Sequence, residues 1–115
     1  MPKPYTPNDK WSRRAAEEGY RARSVYKLQE LNEKFRILKS GMTVLDLGAA
    51  PGSWLQYAAH TIGPKGTAIG IDLQEIEPIE GVEHLYQADI TDMAAVEKIL
   101  AKADKTEVGA VISDL

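Results

Sequence analysis

Short apolar runs alternate with helical repeats along most of this chain. Four runs have the length of strands, at residues 43–47, 67–72, 82–87 and 108–113. The last run is uninterrupted, which suits a parallel strand that is covered on both faces. Between the runs, apolar residues recur at helical spacing over 53–62 and over 92–103. The second of these stripes comprises Met93, Val96, Ile99 and Leu100. This order predicts a doubly wound parallel α/β sheet with right-handed crossovers.

The first forty residues have no strand pattern and predict a helical arm. A helix over 12–18 ends near Gly19, and a second helix spans 24–35 with Ser24 as its N-cap. Four apolar residues at helical spacing predict the buried stripe of the second helix: Val25, Leu28, Leu31 and Phe35. Residues 1–10 hold three prolines and predict an extended segment.

Charge divides the chain at about residue 40. Residues 1–40 carry ten Lys and Arg against five Asp and Glu, whereas residues 41–115 carry four against twelve. A basic arm before an acidic body favours contact with a polyanion through the arm, although a solvated helix can carry the same charges. We therefore predict a nucleic-acid-contacting arm over 1–40 and an α/β domain over 41–115.

Composition excludes several classes of chemistry. The chain has no cysteine, which excludes disulfides, cysteine-bound zinc and a cysteine nucleophile. His60 and His84 are isolated from each other, so no metal site is predicted. No apolar run approaches the length of a membrane span, and no apolar segment follows the N-terminus as in a secretory signal. We therefore expect no membrane partner and a cytoplasmic location.

The first strand leads directly into a glycine-containing turn at 46–54, of sequence DLGAAPGSW. Gly48 and Gly52 have no Cβ, so a bulky ligand can lie against the backbone there. The spacing does not match the Gly-x-Gly-x-x-Gly pattern of dinucleotide folds, and Pro51 removes one amide donor. The turn therefore favours a nucleotide-like ligand without phosphates. S-adenosylmethionine meets this requirement, and its cationic sulfonium suits a site ringed by carboxylates.

An acidic residue lies at the end of each predicted strand: Asp46, Asp72, Asp89 and Asp114. In a doubly wound sheet the ligand lies outside the carboxyl ends of the strands. There Asp72 can accept from both ribose hydroxyls, Asp89 from an adenine amino group, and Asp46 can orient the turn or face a cation. Alternatively, acids after strands cap turns or helices, which is the role we expect for Asp92.

Five segments of the chain resemble the FtsJ-type ribose 2′-O-methyltransferases. They are residues 20–28, 41–54, 70–73, 87–92 and 113–115, with the Asp-Leu-Gly-Ala-Ala-Pro-Gly-x-Trp string as the most specific. The resemblance covers nearly all of residues 10–115. It implies a Rossmann-like fold, S-adenosylmethionine as cofactor, and methyl transfer to a ribose 2′-hydroxyl in RNA, with large-subunit (23S-type) ribosomal RNA as the expected substrate.

The resemblance also implies roles for individual residues. It places Gly52, Trp54, Asp72, Asp89 and Asp114 in the cofactor site. Lys27 and Asp114 would belong to a catalytic Lys-Asp-Lys-Glu set, in which the lysine takes the hydroxyl proton and the aspartate helps to align it. The expected phosphate contacts are Arg13, Arg14, Arg21 and Arg23. Spacing alone gives two simpler interpretations: Lys27 as an exposed helix lysine and Trp54 as a core residue.

The family's pattern continues past this segment with Ala-Pro and further strands, where its second lysine and its glutamate lie. We therefore interpret the chain as a segment cut after strand four and predict cofactor binding more firmly than turnover. The free edge of strand four predicts self-association through 108–115. Three alternatives stay open: a non-catalytic module that holds the cofactor or RNA, a 2′-O-methyltransferase of transfer RNA, and a methyltransferase of small molecules or protein.

Overall fold

Helices and strands alternate along residues 9–104 and 107–115, the part of the chain that the computed structural model describes. Their order is α1 (Lys10–Glu18), α2 (Val25–Phe35), β1 (Thr43–Leu47), α3 (Ser53–Ile62), β2 (Thr67–Asp72), β3 (His84–Gln87), α4 (Met93–Lys102) and β4 (Ala110–Ile112). The predicted extended segment falls mostly outside the described residues. Its last residue, Lys10, already belongs to α1, because Asp9 caps that helix by accepting from the Ser12 amide at 2.7 Å.

The four strands form one parallel sheet in the order β3-β2-β1-β4. β1 is central, with β2 on one side and β4 on the other. This confirms the predicted parallel sheet. Two predicted strands are too long. β3 begins at residue 84 rather than 82, because the Val82 amide closes a turn with Ile79. β4 is limited to 110–112, where it pairs with residues 44–46 of β1.

Helices cover both faces of the sheet and bury the central strands. Val44 packs in one cluster with Leu28 of α2 and Leu55 of α3. Leu45, its neighbour on β1, points to the opposite face and packs with Val96 of α4. This alternation puts successive β1 side chains into separate apolar layers. The loop after β1 therefore starts from a strand that is packed on both faces.

Two residues of the predicted buried stripes are exposed instead. Phe35 is the last residue of α2 and is 62% exposed, because Arg36 turns the chain away in a left-handed conformation. Met93 is the first residue of α4 and is 67% exposed, because the face of α4 that contacts the sheet begins at Val96. In both cases helical spacing identified the face correctly but extended it one turn too far.

Both predicted N-caps occupy the cap position, but only one of them makes a side-chain capping bond. Asp92 caps α4 as expected, by accepting from the Ala95 amide at 3.2 Å. Ser24 precedes α2, but its side chain makes no capping bond. Its hydroxyl instead lies 3.2 Å from the hydroxyl of Ser53 on α3. Within the described residues, no helix combines the length and apolar character that crossing a membrane requires.

Candidate functional site

The loop between β1 and α3 is held against the end of β2 by its own amides. Gly48, with φ of 77°, donates to the Ile71 carbonyl at 2.8 Å, and Ala49 donates to the same oxygen at 3.1 Å. The Ala50 amide donates to Oδ2 of Asp72 at 2.9 Å. The other oxygen of Asp72 accepts from the Gln74 amide at 2.8 Å. Asp72 therefore organises this loop from the neighbouring strand.

A cleft of about 40 Å³ opens at the carboxyl ends of β1 and β4. It is lined by residues of the 46–54 loop together with Ser24 and Asp114. Parallel strands place their carboxyl ends at one edge of the sheet, which is why residues so far apart in sequence meet here. A larger hollow of about 670 Å³ lies elsewhere, beside α3 and the 79–81 turn, and contains none of the predicted site residues.

Asp46 is the most unusual group in this cleft. Its side chain is 1% exposed, and neither carboxylate oxygen has a hydrogen-bond partner among the described residues. Burial, together with the negative charges of Asp114 and Asp72, raises the pKa of Asp46 to about 7. A buried carboxylate without donors is costly for the fold. A cation in the cleft would supply the missing partner.

Trp54 and two serines form the wall of the cleft that faces α2. Trp54 is buried, and its Nε1 donates to the carbonyl oxygen of Ser24 at 2.8 Å, which fixes α3 to the start of α2. Ser53 is also buried and bonded to Ser24. Neither serine was predicted as a site residue. Ser53 follows the glycine turn directly, so its position at the first turn of α3 was the available signal.

Side chains of the protein cover the two glycines of the loop. A Cβ on Gly48 would lie 2.5 Å from Cδ2 of Leu115. A Cβ on Gly52 would lie 2.8 Å from Cδ1 of Ile79 and 3.1 Å from Nη1 of Arg21. The expected open space is therefore taken at both positions. A direct role for Gly48 and Gly52 in cofactor binding stays a prediction.

Asp89 and Asp114 follow the carboxyl ends of the two outer strands, β3 and β4, in different surroundings. Asp89 is exposed and lies outside the lining of the cleft. Its Oδ1 accepts from the Thr91 hydroxyl at 2.6 Å and the Thr91 amide at 2.9 Å, and these bonds lower its pKa. Asp114 lines the cleft next to Asp46. The predicted contact of Asp89 with an adenine stays a prediction.

Lys27 is exposed on α2, one helical turn after Ser24. Residues three apart on a helix share a face, so Lys27 lies on the side of α2 that reaches the cleft at Ser24. Its catalytic role stays a prediction.

The four predicted phosphate contacts have different environments. Arg13 is exposed on α1. Arg14 is also exposed, bonds Glu18 at 3.0 Å and lies 4.6 Å from the centre of the Tyr26 ring. Arg23 pairs with Asp9. Arg21 differs from all three, because its guanidinium donates to the carbonyl oxygens of residues 51, 77 and 78. Contact with RNA stays a prediction for each.

Known proteins are similar to this chain along most of its length. A ribosomal RNA large subunit methyltransferase E from Natronomonas pharaonis is 47% identical over 96% of this chain and 42% of its own length. The same enzyme name is given to a Methanothrix thermoacetophila protein that is 50% identical over 92% of this chain and 40% of its own. A mitochondrial rRNA methyltransferase 2 of Caenorhabditis elegans is 48% identical over 93% of this chain and 50% of its own.

The fold and the family follow from two further matches. A crystal structure described as a ribosomal RNA methyltransferase from Plasmodium falciparum superposes with a TM-score of 0.73 and 31% identity. The match covers 84% of this chain and 56% of that one. The predicted Rossmann-like fold is thereby confirmed. The chain spans between two fifths and half of the length of the curated relatives named above. The model of the FtsJ-like methyltransferases matches residues 20–115, and the chain belongs to that family.

Proposed function

We propose that this chain binds S-adenosylmethionine at the cleft and takes part in methyl transfer to a ribose 2′-hydroxyl of RNA. Large-subunit ribosomal RNA is the proposed substrate. Membership of the FtsJ-like family supports the reaction, and the names of the relatives support the substrate. The observation that carries the proposal is the buried carboxylate of Asp46, whose oxygens have no partner among the residues described.

The donor set of the cleft fits the cationic part of this cofactor. Asp46 and Asp114 offer two carboxylates within one small cleft. S-adenosylmethionine carries a sulfonium and an ammonium group, and either would give the buried carboxylate of Asp46 a partner. The volume of about 40 Å³ is far below the ~300–1,000 Å³ of typical ligand pockets. The adenosyl part would therefore extend outside, towards the ends of β2 and β3, where Asp72 and Asp89 lie.

When bound, the cofactor would supply an electrophilic methyl group. The proposed task of the chain is then to position the ribose hydroxyl and to take its proton. Lys27 is the proposed proton acceptor, and Asp114 the group that aligns it. A lysine accepts a proton only through its neutral amine. The position of Lys27 on the face of α2 that also carries Ser24 supports this assignment.

The basic arm is the proposed RNA contact. We assign residues 1–40 to this arm and residues 41–115 to the cofactor-binding part. Arg13 and Arg14 are exposed on α1, which is the geometry that a phosphate contact requires. Arg23 lies in the linker before α2 and pairs with Asp9, which a phosphate could displace. A cytoplasmic location is also part of the proposal, and subcellular fractionation would test it.

Cofactor binding and turnover are tested separately. Isothermal titration of the chain with S-adenosylmethionine tests the first, with Asp46→Asn as the variant and Asp92→Asn, a helix cap outside the cleft, as the control. Incubation with labelled cofactor and large ribosomal subunits, followed by analysis for 2′-O-methyl nucleotides, tests the second. Absence of cofactor binding by the unaltered chain would reject both the proposed cofactor site and the methyl transfer that depends on it.

A binding module without turnover is the second candidate. It is favoured by the lining of the cleft, which contains the carboxylates of Asp46 and Asp114 but not Lys27. Cofactor binding without transfer to any RNA would select it. Transfer to tRNA but not to ribosomal subunits would select the transfer-RNA enzyme instead. Transfer to small molecules or protein is disfavoured by the excess of basic residues in the arm.

Self-association through β4 is a further proposal about the chain as it stands. β4 pairs with β1 on one side, and Val111 at its centre is exposed. An apolar strand with a free edge is a template for pairing with another chain. Light scattering of the chain and of Val111→Lys measures the effect. A monodisperse monomer for the unaltered chain would reject this proposal.

A further inference from the structure

The guanidinium of Arg21 joins two loops through their backbone. Nη1 donates to the carbonyl oxygens of Pro51 at 2.9 Å and of Glu77 at 2.8 Å. Nη2 donates to the carbonyl oxygen of Pro78. Pro51 belongs to the cleft loop, whereas 77 and 78 belong to the loop between β2 and β3. A single side chain thus bridges two segments that no strand pairing connects.

The backbone of Arg21 is fixed as well. Its amide donates to Oε1 of Gln56 on α3 at 2.9 Å, and Nε2 of Gln56 donates to the Gly19 carbonyl at 3.1 Å. The linker between α1 and α2 is therefore anchored on α3. Because the side chain of Arg21 starts from this anchored point, its reach to the Pro51 carbonyl is set by α3.

Gly52 makes room for this arrangement. A Cβ at position 52 would lie 3.1 Å from Nη1 of Arg21 and 2.8 Å from Cδ1 of Ile79. Gly52 also has φ of 120°, a conformation that residues with side chains rarely adopt. The guanidinium of Arg21 therefore occupies the space beside Gly52 in which the sequence predicts a ligand.

We propose that Arg21 is a positioning residue for the cleft loop rather than an RNA phosphate contact. The inference rests on the proposed function, since it gives that loop its task. Pro51 lines the cleft together with Asp46 and Asp114, so fixing the Pro51 carbonyl fixes one wall of the cleft. Arginine can do this because its planar fork presents several donors at once. Lysine carries the same charge on one nitrogen and cannot reproduce the fork.

The comparison of Arg21→Lys with Arg13→Lys tests the assignment. Both variants keep the charge, and Arg13 is exposed on α1 as a matched control. In Arg21→Lys we expect amide exchange in loops 48–52 and 77–80 to accelerate about tenfold or more, with α4 unchanged. We expect cofactor affinity to fall by about tenfold and RNA affinity to stay within about twofold. Arg13→Lys should leave exchange and cofactor affinity unchanged.

Several outcomes would overturn the proposal. Unchanged loop exchange in Arg21→Lys would show that the three bonds do not hold the loop. Faster loop exchange with unchanged cofactor affinity would remove the positioning role. Faster exchange in α4 as well would indicate a general structural role instead. If the unaltered chain bound no cofactor, the proposed function would fall, and loop exchange would still decide whether Arg21 holds the loop.

Discussion

Two strands of the same sheet carry an aspartate near their carboxyl ends, in opposite surroundings. Asp46, at the end of the central strand β1, is buried with no hydrogen-bond partner within the described part of the chain, and burial raises its pKa to about 7. Asp89, just past the edge strand β3, is exposed, and its hydrogen bonds to Thr91 lower its pKa. Asp89 accepts hydrogen bonds within its own turn, whereas Asp46 accepts none from the described residues. We infer that only the first is built to receive a cation.

The largest expected effect of this difference is on stability. The folded chain retains the Asp46 proton between pH 3.8 and about 7, whereas the unfolded chain releases it near 3.8. Raising the pH across this window therefore favours unfolding, because the unfolded state binds fewer protons there. The difference between the pKa of Asp46 in the folded and in the unfolded chain corresponds to at most ~4 kcal/mol of unfolding free energy, lost by pH 8.

Urea unfolding of Asp46→Asn and of the unaltered chain measures this effect, and Asp89→Asn is the matched control. We expect the advantage of Asp46→Asn over the unaltered chain to grow between pH 5 and pH 8. Since asparagine carries no charge, its own unfolding should lack the Asp46 contribution. An advantage that stays constant between the two pH values would show that Asp46 ionises normally, and the contrast with Asp89 would disappear.

The next effect in size is on cofactor affinity. If the ionised Asp46 faces a cation, affinity should rise by up to tenfold per pH unit below 7 and level off above it. At pH 8, Asp46→Asn should lower affinity by about 30-fold or more, because it removes one partner of a buried charge pair. Asp89→Asn should change affinity far less. Titration calorimetry at pH 6, 7 and 8 provides the measurement.

The same titrations with S-adenosylhomocysteine distinguish which cationic group of the cofactor faces Asp46. This analogue has a neutral thioether where the cofactor has a sulfonium, and it keeps the ammonium group. Loss of the pH dependence would assign Asp46 to the sulfonium, whereas its persistence would assign Asp46 to the ammonium group. Equal affinities of Asp46→Asn and the unaltered chain at pH 8 would contradict both assignments.

Much of the fold was predictable, because its signals are local. The bounds of β1, α3 and β2 match the prediction, since glycine-containing turns delimit each of these elements. The cap of α4 also follows from one residue and its neighbours. The Rossmann-like sheet follows from the order of these elements along the chain.

The site was less predictable, because the burial and the hydrogen-bond partners of its residues depend on segments that are distant in sequence. In sequence, Asp46 and Asp89 are both acids at strand ends. They differ because β1 has a strand on either side and an apolar layer on each face, whereas β3 lies at the edge. In sequence, Arg21 is likewise only one of several basic residues in the arm. Its partners lie 30 to 57 residues further along the chain, where no local pattern indicates them.

A smaller effect is expected from the side chain that lies over the cleft loop. Leu115 is exposed, yet its side chain contacts Gly48 at the Asp46 end of the site. Leu115→Ala should widen this region and raise cofactor affinity by about threefold, because a ligand no longer has to displace an apolar side chain. Val111→Ala is the control, since Val111 is exposed on β4. Equal cofactor affinities of Leu115→Ala and Val111→Ala would show that Leu115 does not restrict access of the cofactor to the cleft.

The smallest effect concerns Asp89. Thr91→Val keeps the shape of the side chain and removes the hydroxyl that donates to Asp89 at 2.6 Å, while the amide bond at 2.9 Å remains. The pKa of Asp89 should rise towards its ordinary value, because one of two stabilising bonds to the carboxylate is lost. Thr61→Val, which removes a hydroxyl bonded to the Tyr57 carbonyl, is the control. NMR titration of the Asp89 carboxyl measures the change. An unchanged pKa would mean that the Thr91 hydroxyl does not stabilise this carboxylate, and the contrast with Asp46 would then rest on burial and on the Thr91 amide.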